Sequence, residues 1–190
     1  MANHPNLRKN PNATVRSVAE LTSLPSSVTQ IIIDNGVGDS SFTELDLSRF
    51  TQLRLLEIGN NSLCYVTTVK MIGLSALERV VIGKNSFARE FGYFYLKNCP
   101  SMNSLVISYG SFSQYTVCEI EGTASLETII MGEPDRNSFN FRRASLELKS
   151  VVVHNDLGLD MASLKSLECG ESGFQGCSSV VLESGFRSLE

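Results

Sequence analysis

Several residue types that carry common chemistry are scarce in this 190-residue sequence. Histidine occurs twice, as His4 and His154, and neither lies in a recognisable cluster of a base with a nucleophile, so the usual general acid–base catalyst is missing. The five cysteines are odd in number and include no Cys-x-x-Cys pair. This pattern fits neither a disulfide framework nor a zinc site, and we expect no enzyme activity, no metal and no cofactor.

A strong charge of one sign and a long apolar run are also absent. Sixteen basic residues against 20 acidic ones give a net charge of −4, and no basic stripe is present, so we expect no nucleic-acid partner. No segment approaches the roughly 18 apolar residues of a membrane span. The polar N-terminal segment lacks the apolar core of a secretory signal. Together with the unpaired cysteines, it favours a cytoplasmic location.

What the sequence does contain is an internal repeat. With 42% hydrophobic and 19% charged residues, the chain is expected to form one folded domain. A phrase with apolar residues at its first, fourth and sixth positions recurs at intervals of 25, 24, 25 and 24 residues. It starts at Val28, Leu53, Leu77, Met102 and Leu126. Such a constant period predicts a stack of similar structural units.

The phrase continues in the same frame after its strand-like part. Residues 56–63 read L-x-I-x-x-N-x-L, and residues 80–87 repeat this as V-x-I-x-x-N-x-F, with Asn61 and Asn85 in the asparagine place. This resembles the leucine-rich repeat consensus L-x-x-L-x-L-x-x-N-x-L, and the resemblance covers about residues 28 to 189. The second half of each repeat also alternates as a strand does, for example at 42–47 and 66–71, which is similar to the irregular BspA-like type.

The resemblance implies a mainly β fold, a leucine-rich repeat solenoid. We expect a curved right-handed stack of parallel strands, with a second short strand per repeat and few helices. The predicted division is a polar tail at 1–14, an N-terminal cap at 15–27 that is partly helical, and a repeat domain at 28–190. That domain has about six to seven coils, the last of them incomplete. The later coils are irregular, and residues 150–154 are interpreted as a sixth strand and 164–169 as a seventh.

Inside the stack, each coil is expected to turn its large apolar residues toward its neighbours. One predicted internal column consists of Phe42, Leu63, Phe87, Phe112, Phe139 and Phe174. Asn61 and Asn85 are expected to turn inward and satisfy backbone groups of the bend, and Cys118 and Cys169 fall on core positions. Glycines 59, 83, 132 and 170 follow the strands and are expected to permit a sharp corner.

The candidate site lies on the outward face of the first strands, where alternation leaves one row of side chains outside the core. Val81, Val106, Ile130 and Val152 would form an apolar stripe roughly 15 Å long, with Glu57 and Glu168 at its ends. Arg79 in the adjoining row and Tyr109 in the row after the corner are predicted contacts at its rim, beside Lys84. Three interpretations stay open for the stripe: a partner surface, self-association, or the preference of Val and Ile for any sheet.

The function predicted from these features is a non-catalytic binding scaffold that uses its strand-lined face. The family resemblance implies a protein or glycan partner, with adhesion or recognition as the role, and a second copy could bind through the stripe or the open C-terminal edge. The alternative is a parallel β-helix enzyme or lectin that acts on polysaccharide. That reading needs carboxylates stacked on one face, and the aspartates at 34, 46, 135, 156 and 160 share no row. The scaffold is therefore the favoured prediction.

Overall fold

The fold consists of two parallel sheets whose strands alternate along the chain. The computed structural model describes residues 12–133, 137–149, 163–177 and 179–182. The first sheet runs in the order β1 (Asn12–Val15), β2 (Gln30–Ile33), β4 (Leu55–Ile58), β6 (Arg79–Ile82), β8 (Ser104–Ile107), β10 (Thr128–Met131) and β12 (Ser166–Cys169). The second runs β3 (Glu44–Asp46), β5 (Thr68–Ile72), β7 (Gly92–Lys97), β9 (Tyr115–Glu121), β11 (Ser145–Lys149) and β13 (Val180–Leu182). Successive coils thus stack side by side.

The apolar residues of the sequence repeat form the hydrophobic core between the two sheets. Leu56, Val80, Leu105 and Ile129 are direct lateral neighbours in the first sheet and are fully buried. Each buried large side chain of this kind contributes about 1.5–3 kcal/mol, and it finds its contacts only when another coil lies beside it. The prediction of a mainly β solenoid built from parallel strands with little helix is confirmed.

The N-terminal end of the stack is closed by a strand and a short helix. β1 adds to the first sheet beside β2, although its first residues fall in the segment predicted to be a polar tail. Helix α1 (Val18–Ser23) begins after Ser17, whose hydroxyl accepts a hydrogen bond from the Glu20 amide. At its other end the Arg49 guanidinium donates to the carbonyl oxygens of residues 21, 22 and 24. Arg49 therefore ties the helix to the first coil.

The polar residue that turns inward at each bend is a serine, so the prediction for asparagine is wrong. Asn61 and Asn85 are exposed and adopt a left-handed backbone with φ of 54°. Asparagine tolerates that conformation, which explains its place in the repeat. The buried Ser86 hydroxyl instead accepts from the Ser62 amide at 3.1 Å and donates to the Gly59 carbonyl at 2.8 Å. A ladder of serines thus satisfies the buried backbone of the corner.

The glycines of this corner are required mainly by close stacking between coils. A Cβ on Gly59 would lie 2.6 Å from the Asn35 backbone nitrogen, and one on Gly83 would lie 2.7 Å from the Gly59 carbonyl carbon. Gly59, Gly83 and Gly170 have no positive φ, whereas Gly132 has a φ of 95°, as expected for a glycine that permits a sharp corner. The absent side chain therefore lets one coil approach the next, and the turn itself is made by the left-handed residues that follow.

The internal aromatic column contains Phe141 where Phe139 was predicted. The rings of Phe87, Phe112, Phe141 and Phe174 lie nearly parallel, with successive centroid distances of 4.6, 4.9 and 5.7 Å. Phe139 is 36% exposed, because added residues before it shift the frame of this corner. Phe42 is only half-buried, and the Leu63 amide donates to the carbonyl of the buried Val37, which occupies the serine position of the first corner.

The first sheet passes directly from β10 to β12, so the predicted sixth strand does not lie between them. Thr128 to Met131 pair with Ser166 to Cys169 in register. Leu148 belongs to β11, in the second sheet, where it lies opposite Ile120. Residues 150–162 are outside the described residues. The direct pairing of β10 with β12 therefore leaves no place for a further first-sheet strand between them.

Candidate functional site: the outward face of the first sheet

The predicted apolar row is in register across three adjacent strands. Val81 lies opposite Val106, and Val106 lies opposite Ile130. Glu57 is the neighbour on the β4 side and Glu168 the neighbour on the β12 side. Val152 lies outside the described residues. The prediction placed Val152 next to Ile130, and in the structure Glu168 occupies that place. With strands about 4.8 Å apart, the stripe is about 10 Å long and has a carboxylate at each end.

The side chains of this stripe are half-buried. Val81, Val106 and Ile130 are intermediate in exposure, and none of them is among the exposed large apolar residues. Their lateral neighbours cover part of each side chain, as the flat packing of β-branched residues on a sheet requires. The stripe therefore offers a shallow surface whose contact with another molecule would bury the remaining area.

Charged groups line the edge where the first-sheet strands begin. Arg54 holds Glu78 through two hydrogen bonds to one carboxylate oxygen, at 2.9 and 2.6 Å. The exposed Arg79 lies beside this ion pair, and together with Leu55 these side chains line a cleft of about 410 Å³. Arg79 therefore adjoins the row as predicted and lies on its polar border.

The rim residues on the opposite border bind one another. The Lys84 ammonium lies 4.9 Å from the centre of the Tyr109 ring and 2.9 Å from the Glu133 Oε1 atom. Because Lys84 spans from β6 past β8 to the loop after β10, it fixes the orientation of the half-buried Tyr109. This border is therefore pre-ordered before any contact is made.

A small cavity marks the end of the stripe. It has a volume of about 250 Å³ and is lined by Ile130, Glu168, Cys169 and the residues next to them. Cys169 lies opposite Met131 in register but is exposed, and among the described strands β12 is the last of the first sheet. The expectation that Cys169 belongs to the core is thus wrong, whereas Cys118 is fully buried as expected.

The outward row of the second sheet is a solvated, ion-paired face. Asp46, Lys70, Tyr95 and Glu119 are lateral neighbours in register. The Lys70 ammonium lies 2.6 Å from Glu44, which raises the lysine pKa, and the Ser48 amide holds the Asp46 pKa below its usual value. Lys97 lies 2.5 Å from Glu119. These contacts satisfy the charges of this face locally.

Sequence reasoning missed a group of exposed aromatic residues on the same side of the molecule. Tyr65, Phe91 and Tyr93 are 41%, 71% and 42% exposed. The signal was present, because residues 91, 93 and 95 are aromatic at every second position, which is the spacing of one strand face. The sequence-based prediction of a binding site covered only the outward face of the first sheet and left these residues out.

Among the residues with described structure, no group of three or more His, Cys, Asp or Glu side chains is arranged to hold a metal ion. Within the same residues, no helix has the length and apolar character needed to cross a membrane. Comparisons with protein-family models, with curated proteins and with solved structures each found no match to this chain.

Proposed function

We propose that this chain is a non-catalytic binding scaffold whose first-sheet face contacts a protein partner. The observation that carries the proposal is the in-register row of Val81, Val106 and Ile130 between two carboxylates. An apolar centre with a charged and aromatic rim is the usual anatomy of a protein interface. Arg79 and Tyr109 supply residue types that often dominate binding energy at such surfaces.

The finer identity proposed here is a leucine-rich repeat of the irregular BspA-like type, with adhesion or recognition as its role. Its support is the recurring phrase of the sequence and the parallel stack that the phrase builds. A solenoid serves this purpose because each coil adds one more row of side chains to a continuous surface. Fold alone does not name a partner, so the surface residues must carry the test.

Site-specific photo-crosslinking tests the proposal. A photoreactive amino acid at Val106 is expected to give crosslinked protein of defined mass in an extract of cells that express the chain. The combined Val106→Asp and Ile130→Lys variant, with a photoreactive residue at Val81, is expected to lose this product while it stays folded. The matched control is the same photoreactive residue at Val117, which faces outward from the second sheet.

Equal crosslinking at Val106 and Val117, or none at Val106, would contradict the proposed face. Light scattering after size-exclusion chromatography identifies the case in which the protein partner is a second copy, because the double variant then changes from dimer to monomer. Unfolding of the double variant would show that the row belongs to the core. Cleavage of a charged polysaccharide in the presence of Ca²⁺ would overturn the non-catalytic assignment.

A further inference from the structure

Exposed aromatic side chains are concentrated around one strand of the second sheet. Of the five exposed large apolar side chains in the described chain, Tyr65, Phe91 and Tyr93 lie here. Phe91 directly precedes β7, and the exposure pattern through this strand alternates so that residues 91, 93 and 95 face outward. We call Tyr65, Phe91, Tyr93 and Tyr95 the aromatic strip. Within it, the rings of Tyr93 and Tyr95 stack with centroids 6.3 Å apart.

A local insertion produces the most exposed part of the strip. Tyr93 follows the column residue Phe87 by six positions, whereas its lateral neighbours Thr68 and Val117 follow Leu63 and Phe112 by five. The extra residue forces Phe91 into a left-handed backbone with φ of 58°. The buried rings of Phe87 and Phe112 have the same left-handed backbone, with φ of 56° and 58°, whereas the Phe91 ring is 71% exposed. An apolar ring left in solvent contributes little to the core and is available to a ligand.

A cleft lies beside the exposed end of the strip. It has a volume of about 640 Å³ and contains the rings of Tyr65 and Phe91, the charged side chains of Arg89 and Glu90, and the side chains of Thr43 and Thr67. The Arg89 guanidinium lies 5.2 Å from the centre of the Tyr65 ring, which orients both groups. The volume falls in the range of about 300–1,000 Å³ that is typical of sites for small ligands.

The strip and its cleft carry no excess of positive charge. Lys97 lies 2.5 Å from Glu119 and 3.5 Å from Glu121, and Lys70 is paired with Glu44. In the cleft, Arg89 and Glu90 contribute one charge of each sign, and Arg89 lies over the Tyr65 ring. Single-stranded nucleic acid also stacks its bases on aromatic rings, but it needs an excess of cations for its phosphates. The ligand that matches this surface is therefore electrically neutral.

An extended peptide is also a poor match, because the backbone of β7 has no free edge. Residues 92–97 pair with β5 on one side and with β9 on the other. A peptide that binds as an added strand needs an unpaired edge for its own amides and carbonyls. A ligand here must instead bind through ring faces and side-chain polar groups.

We propose that the aromatic strip and its cleft bind a neutral oligosaccharide. The C–H face of a sugar ring carries partial positive charge and is attracted to the negative face of an aromatic ring. The hydroxyls at the edge of the sugar need donors and acceptors, which Arg89, Glu90 and the threonine hydroxyls supply. This site lies on the second sheet and is independent of the protein-binding face proposed above.

Calorimetric titration with defined hexasaccharides tests the proposal on the full chain. The panel consists of α-1,4-linked and β-1,4-linked glucose, β-1,4-linked mannose and β-1,4-linked N-acetylglucosamine. We expect binding to at least one of them, and Phe91→Ala and Tyr93→Ala should each lower its affinity about tenfold. Because the chain has no tryptophan, quenching of tyrosine emission provides a second readout. Phe139→Ala is the matched control, since Phe139 is an exposed phenylalanine outside the strip.

Phe91→Gly separates binding from folding. Glycine relieves the positive φ at this position, so the thermal midpoint should stay the same or rise while sugar affinity falls. Absence of binding to all four hexasaccharides would overturn the proposal, as would affinity that Phe91→Ala and Tyr93→Ala leave unchanged. Phe91-dependent binding of a hexaproline peptide or of oligo-dT in place of the sugars would overturn it as well. Val106→Asp should leave sugar binding intact, so the result does not depend on the first-sheet face.

Discussion

The Tyr115 hydroxyl donates a hydrogen bond of 2.7 Å to the Val66 carbonyl, although the two residues are 49 positions apart. Tyr115 is the first residue of β9, and Val66 precedes β5. Because β7 lies between these two strands in the second sheet, the Tyr115 side chain crosses the coil that contains β7. Gly92 in that coil leaves the room, since a Cβ there would lie 2.4 Å from the Tyr115 ring. Burial raises the pKa of the Tyr115 hydroxyl, so this group stays a donor.

Tyr115→Phe is expected to lower the free energy of unfolding by about 1–2 kcal/mol. The variant keeps the ring but leaves the buried Val66 carbonyl without this donor. Denaturant titration measures the difference. Tyr93→Phe is the control, because Tyr93 is 42% exposed and its hydroxyl is accessible to water. Equal effects of the two changes would show that the long-range hydrogen bond contributes nothing.

Gly92→Ala is expected to cost about 1–3 kcal/mol, since the added methyl group overlaps the Tyr115 ring. The steric origin can be tested by a double-mutant cycle with Tyr115→Ala. In the Tyr115→Ala background the cost of Gly92→Ala should largely disappear. A cost that persists would mean that the backbone of Gly92 causes it, and not the ring.

Ser86→Ala should destabilise the chain by about 2–3 kcal/mol, although only one hydroxyl is removed. The change deprives the buried Ser62 amide of its acceptor and the Gly59 carbonyl of its donor. Ser75→Ala at an exposed turn is the control and should change stability by less than about 0.5 kcal/mol. Thermal unfolding followed by circular dichroism gives the comparison, and similar midpoints would refute the role of the serine ladder.

Phe141→Ala is expected to cost about 3–5 kcal/mol, whereas Phe139→Ala should cost less than about 1 kcal/mol. Phe141 is fully buried between Phe112 and Phe174, and Phe139 lies on the surface under the Arg142 guanidinium. Denaturant titration of the two variants shows which phenylalanine occupies the aromatic column. A larger loss of unfolding free energy for Phe139→Ala than for Phe141→Ala would show that Phe139 belongs to the column, as predicted from the sequence.

The cysteines should separate into fast and slow thiols. Cys99 is fully buried and its pKa is raised to about 11 by burial, so at pH 8 only about one part in a thousand is thiolate. Cys118 is also buried, whereas Cys169 is exposed, and we expect its accessibility to decide its rate even though partial burial of the thiol raises its pKa. With an excess of an aromatic disulfide reagent, Cys169→Ser should remove a rapid phase of reaction. Cys99→Ser and Cys118→Ser should leave the rapid phase unchanged, and a change in either would show that these sites open in the native state.

The sequence determined the period, the strands and the wall of the solenoid. Burial of Leu56, Val80 and Leu105 depends only on apolar side chains that recur at a constant interval, so pattern alone places them together. The same alternation determined the outward row of Val81, Val106 and Ile130. Once the strand register is set, each second residue must face the same way.

The tertiary structure decided the corners and the surface between coils. Asn85 and Ser86 are neighbours in sequence, and only the left-handed backbone of Asn85 determines that the serine, and not the asparagine, faces the core. Likewise, five extra residues precede Phe141 in its coil, and as a result Phe141, and not Phe139, occupies the aromatic column. One extra residue before Tyr93 brings Phe91 to the surface. Side-chain direction at a turn depends on individual backbone angles and on the distance to the next coil, and a periodic pattern carries neither.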